Sequence, residues 1–123
     1  MRFAIAAAAL CCSAPAFATG GFLCSSADGK GPTISLVIGH GIPGGVIGAS
    51  LKENGRWRST MEPKDGLVLD QWWIDRERTW IDIVHPETGA YEAQLRVRNQ
   101  GFGGTGTLVR KGRIYSMRCF QDG

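Results

Sequence analysis

From residue 20 onward this chain contains no window in which apolar residues recur at helical spacing, because Gly, Pro or Asn interrupts every candidate. Short β-branched and aromatic runs recur instead, separated by turn residues, and that pattern selects an all-β domain. The clearest run covers residues 90–98. Tyr91, Ala93, Leu95 and Val97 fall on one face and Glu92, Gln94, Arg96 and Arg98 on the other. Alternation of this kind means one buried face and one wet face.

Nine strands are expected, over residues 20–27, 33–39, 46–53, 56–61, 67–74, 79–84, 90–98, 105–110 and 113–120. Asn54-Gly55 reads as a two-residue type I′ turn, and Lys111-Gly112 as a second tight turn. Consecutive hairpins with short turns form a meander. A meander of this size closes into a small antiparallel β-barrel of eight or nine strands or folds over as a sandwich, and the barrel is the expected form.

The first residues have the organisation of an export signal. Met1 and Arg2 form a positive start, residues 3–12 an apolar segment, and Ala16-Phe17-Ala18 a small-x-small cleavage site. Cleavage is expected after Ala18, leaving one domain over residues 19–123 in the periplasm or outside the cell. No segment reaches the ~20 apolar residues of a membrane-spanning helix. Neither Leu10-Cys11, Cys11-Cys12 nor Leu23-Cys24 places a small residue before a lipid-acceptor cysteine, so free release is expected rather than lipidation.

Cleavage removes Cys11 and Cys12 and leaves Cys24 and Cys119. In an oxidising compartment two cysteines near the ends of a small domain form a structural disulfide, which draws the first and last strands together. No Cys-x-x-Cys and no nearby histidine supports a metal or redox pair, and no metal or cofactor is expected.

The formal charge is +3, falling to +2 without Arg2, which is too weak to point to nucleic acid. Its distribution is uneven: residues 61–90 carry a balance of −4 and residues 91–123 a balance of +4. Arg96, Arg98, Arg110 and Arg113 lie on neighbouring expected strands and read as an outward arginine stripe, first as a solvated face and, as a functional alternative, as a patch for an acidic partner, envelope lipid or polyanion.

Three of the four tryptophans fall in LVLDQWWIDRERTWIDIV, residues 67–84, the expected central hairpin. Most of this cluster is expected to fill the barrel interior. Alternation places Trp72 and Trp73 on opposite faces, and Trp80 on the face of Asp82, opposite Ile81 and Ile83. One of Trp57, Trp72 and Trp73 is expected to be exposed among acids as a binding anchor. The binding candidates are therefore Trp57, Trp72, Arg96, Arg98 and Arg110. Asp70, Asp75 and Asp82 read as solvated acids rather than a catalytic pair.

Catalytic chemistry is sparse. His40 lies in the glycine-rich loop GHGIPGG and His85 precedes Pro86; there is no Gly-x-Ser-x-Gly elbow and no P-loop. In size, export and all-β organisation the chain resembles bacterial inhibitors of c-type lysozyme. The Ser-Gly-x-x-Tyr motif of that family is absent, so no residue role carries over. The resulting expectation is a non-enzymatic module that binds another envelope or extracellular protein, as an enzyme inhibitor does. A small apolar-ligand carrier and a small hydrolase using His40 or His85 are the alternatives.

Overall fold

The computed structural model describes residues 20–39 and 45–122. The leader, its cleavage site and the His40 loop lie outside the described residues. Nine strands form one antiparallel sheet: β1 (Gly20–Ser26), β2 (Thr33–Gly39), β3 (Gly45–Glu53), β4 (Arg56–Ser59), β5 (Val68–Ile74), β6 (Arg78–Val84), β7 (Tyr91–Gln100), β8 (Gly103–Arg110) and β9 (Arg113–Asp122). Asn54 and Gly55 have φ of 53° and 77°, and Lys111 and Gly112 have 51° and 76°. Positive φ at both central residues is what a type I′ hairpin requires. No helix among the described residues is long and apolar enough to cross a membrane.

The strand order is β4-β3-β2-β1-β9-β8-β7-β6-β5. Cys24 and Cys119 are directly opposed on β1 and β9 and are bonded across a sequence separation of 95. The expected neighbourhood of first and last strands is therefore present. The expected closed barrel is not, because the sheet is a curled half-barrel whose edges, β4 and β5, are not hydrogen-bonded to each other.

Strand direction explains the gap. Every neighbouring pair is antiparallel, including β1 with β9. Alternating outward from the β1–β9 pair makes β4 and β5 run the same way. A parallel pair needs a crossover of a dozen or more residues, whereas only residues 60–67 connect β4 to β5, and they include a 3-10 turn at Pro63–Asp65. The ring consequently stays open. Across the gap the Trp72 side chain of β5 lies against Gly45 of β3, while Met61, just past β4, lies against Gly48.

The concave face forms the core. Ile34, Leu36, Leu51, Ile81, Ile83, Leu95, Leu108 and Met117 fill it, with the buried disulfide among them. This core is mostly aliphatic, with Phe22 buried in it and Tyr115 packed against it. The expectation that tryptophans fill the interior is overturned, since Trp57, Trp72, Trp73 and Trp80 are 47%, 44%, 55% and 41% exposed. A curl this tight brings β7 and β8 together at small residues: a Cβ on Gly106 would meet the Arg96 carbonyl and approach Val97 Cα to 2.7 Å. Backbone cannot yield as a flexible side chain can. Gly106→Ala is expected to cost about 1–3 kcal/mol, the range for overpacking, measurable by chemical denaturation.

Candidate functional site

The convex surface of β5, β6 and β7 carries a close group of aromatic and charged side chains, with Trp73 and Trp80 exposed. Ladder register builds it. Trp73 on β5 opposes Trp80 on β6, which opposes Arg96 on β7. One step along, Arg78 opposes Arg98. These residues and Asp82 occupy the outward positions of strands whose inward positions are Thr79, Ile81, Leu95 and Val97, all buried.

Polar contacts hold the aromatic rings in place. The Trp73 indole N–H donates to Asp75 Oδ2 at 2.7 Å. Asp75 Oδ1 accepts from the backbone N–H groups of Glu77 and Arg78, each at 2.7 Å, which shapes the β5–β6 turn. The Trp73 hydrogen bond, followed by those two backbone donors, holds the Asp75 carboxyl below its ordinary range. Asn99 on β7 braces the same turn by donating from Nδ2 to the Asp75 carbonyl at 2.9 Å. The Trp80 ring has the Arg78 and Arg96 guanidiniums over it, at 5.2 and 5.3 Å from its centroid. Both lie within the range of a cation–π attraction.

Arg96 is fixed as well as stacked. Its Nη2 pairs with Asp82 Oδ1 at 2.9 Å, and its Nη1 donates to the Leu95 carbonyl at 2.8 Å. Asp82, expected as a solvated acid, is only 7% exposed because Arg96 covers it. Around these groups lies a cleft of about 710 Å³, lined among others by Asp70, Gln71, Trp72, Trp73, Trp80 and Arg96. Three indoles and several hydrogen-bonding groups thus share one concavity at the β5 edge.

The structure separates the five expected contact residues. Arg96 and Arg98 share the convex face. Trp72 opposes Ile81 on the concave side and reaches across the gap to Gly45, so Trp73 is the outward member of the Trp-Trp pair. Trp57 is exposed near the opposite edge, with Lys52 Nζ 5.7 Å from its ring centroid.

Arg110 departs from the expected stripe. It is 3% exposed and points into the curl. There it forms ion pairs with Glu53 at 2.7 Å and Glu92 at 2.8 Å and donates to the Glu92 carbonyl. Its parity carries the reason: Arg110 shares a face with buried Leu108, so alternation turns it inward and two carboxylates compensate the charge. Arg113 directly opposes Arg110 and so shares its face, but at the start of β9 it stays exposed, 5.5 Å from the Tyr115 ring centroid, and is not part of an outward stripe either.

Trp80 and Arg78 belong to the convex cluster although neither was singled out for binding. The available signal was the placement of Trp80 opposite Ile81 and Ile83. His85 is half-buried at the end of β6, where its Nδ1 accepts from the backbone N–H groups of Glu87 at 3.1 Å and Thr88 at 3.4 Å. No cluster of three or more metal-ligating side chains occurs among the described residues. No family model, curated protein or solved structure matches the chain.

Proposed function

We propose that this chain is a non-enzymatic binding module, exported to the periplasm or beyond, that engages another protein through the convex face of β5–β7 in the manner of an enzyme inhibitor. The observation that carries the reading is the Trp73–Trp80 cross-strand pair. Two large indoles stand exposed side by side on a sheet whose core is complete without them, flanked by Arg78, Arg96 and Arg98. Tryptophan and arginine dominate binding hot spots, and an anchor already held by its neighbours loses little conformational freedom on docking. Trp73 is held by Asp75, and Trp80 by two guanidiniums.

The test is affinity capture from envelope and host extracts, followed by titration of the captured protein. Trp73→Ala and Trp80→Ala are each expected to weaken binding by roughly tenfold or more, since hot-spot truncations cost about 2 kcal/mol or more. Phe102→Ala, at an 84% exposed position in the β7–β8 turn, is expected to leave binding unchanged. A partner held equally by both tryptophan variants would refute this face as the contact.

A further inference from the structure

The ladder registers align one continuous row of outward residues across eight of the nine strands: Arg78, Arg98, Thr105, Arg118, Ser25, Thr33, Lys52 and Trp57. Four are cations, three carry hydroxyls, and none is acidic. Among the described residues, Arg78, Arg98, Arg118 and Lys52 form no ion pair. Glu77 lines the same groove as Arg78 and Arg98 but pairs with neither. Arg78 and Arg98 stand directly opposite, an arrangement that opposes sheet stability when nothing neutralises it. Every ion pair among the described residues is made by Arg96 or Arg110, outside this row.

We propose that this row is a cationic belt that binds an acidic segment of the partner protein, laid across the strands with its carboxylates on Arg78, Arg98 and Arg118. The inference rests on the protein-binding reading above and names the chemistry of the contact. Spacing fits an extended chain. With strands about 4.8 Å apart, Arg78 and Arg98 sit one step apart, Arg98 and Arg118 two steps or about 9.6 Å, and Lys52 three steps further. Same-side residues of an extended peptide recur every ~6.6 Å, so carboxylates on flexible side chains reach successive cations. Arginine offers each of them a two-pronged donor.

Shape and aromatic contacts select this occupant over two others. The belt follows a convex, curled sheet, so a flat bilayer meets only part of it. A glycan stacks on a bare indole, whereas Trp80 beside the belt and Trp57 within it carry cations, Arg78 and Arg96 on the first and Lys52 on the second; only Trp73, tied to Asp75, has none. The adjoining Trp73 and Trp80 then receive an apolar residue flanking the acidic segment.

The test is titration of the full chain with labelled deca-glutamate at 50 mM salt, read by fluorescence anisotropy. Beside it run a galacturonate decamer of equal charge, deca-glutamine, and vesicles containing phosphatidylglycerol. Deca-glutamate is expected to bind and deca-glutamine not. Binding should weaken at least tenfold on raising salt to 200 mM and at least tenfold in Arg98→Glu/Arg118→Glu. Arg113→Ala, outside the row, is expected to bind as the wild type does. Melting curves no lower than wild type in the double variant would show that the loss is not unfolding.

Absent binding of deca-glutamate, or equal binding by the double variant, would overturn the belt. Tighter binding of the galacturonate or the vesicles would overturn the choice of a protein segment. If Trp73→Ala and Trp80→Ala release a captured partner while Arg98→Glu/Arg118→Glu does not, this inference falls and the protein-binding reading stands. If neither set releases it, the reading itself falls.

Discussion

Reducing the Cys24–Cys119 bond is expected to lower the melting temperature by at least about 15 °C. The bond closes a loop spanning a sequence separation of 95, for which the chain-entropy model gives about 4 to 5 kcal/mol, and each kcal/mol is worth about 4–8 °C in a domain of this size. Its position in the sheet adds a topological reason. Strands β1 to β4 form one meander and β5 to β9 another, and the β1–β9 ladder is the one set of sheet pairings that joins them. The bond lies within that ladder, with both sulfurs' residues buried in the core. Calorimetry with and without a phosphine reductant measures the effect. A melting temperature unchanged on full reduction, verified by thiol titration, would show that the ladder holds the two meanders without the bond.

The sequence exposes most of the strand architecture because its determinants are local. Period-two alternation and the Asn54-Gly55 and Lys111-Gly112 turns locate nine strands, with β2 at its observed bounds and the others within a few residues. Openness of the sheet is a different kind of property. The cysteines require β1 and β9 to be adjacent but say nothing about their relative direction, and that direction decides whether β4 and β5 can close the ring.

The candidate site was legible in part for the same reason. Alternation separates Trp72 from Trp73 and places Trp80 opposite Ile81, but the sign of the separation depends on which face the curl buries. Residues other than tryptophan supply the core, so Trp73 and Trp80 are left on the convex face and Trp72 lies half-exposed at the open edge of the concave one. The belt row was not legible, because it joins residues up to seven strands apart through registers that no local pattern fixes.

Arg110 also links the two meanders, and Arg110→Ala is expected to destabilise the fold by about 3 kcal/mol. Its guanidinium crosses the interior from β8 to Glu53 at the end of β3, with Nε–Oε2 and Nη2–Oε1 contacts of 2.9 and 2.7 Å, while Nη1 holds Glu92 of β7. Removing one partner of a buried ion pair typically costs 3–5 kcal/mol because the remaining charge is uncompensated. The low end applies here, since the Glu53 and Glu92 side chains keep 28% and 21% of their surface exposed.

Acid should narrow the difference between variant and wild type. The hydrogen bonds from Arg110 hold the Glu53 carboxyl below its ordinary value of 4.5. A carboxylate whose folded value is depressed adds stability above its unfolded value and loses that contribution as pH falls through the folded one. The wild type therefore loses this stabilisation on acidification below about pH 4.5, near the ordinary glutamate value. In Arg110→Ala the largest cause of the depression is gone and only the weaker attraction of Lys111 and Arg58 is left to oppose desolvation, so the variant loses less over the same range. Urea denaturation of both proteins at pH 7 and pH 3 measures the two gaps. A gap that stays constant with pH would show that Arg110 acts through packing of its stem rather than through its charge.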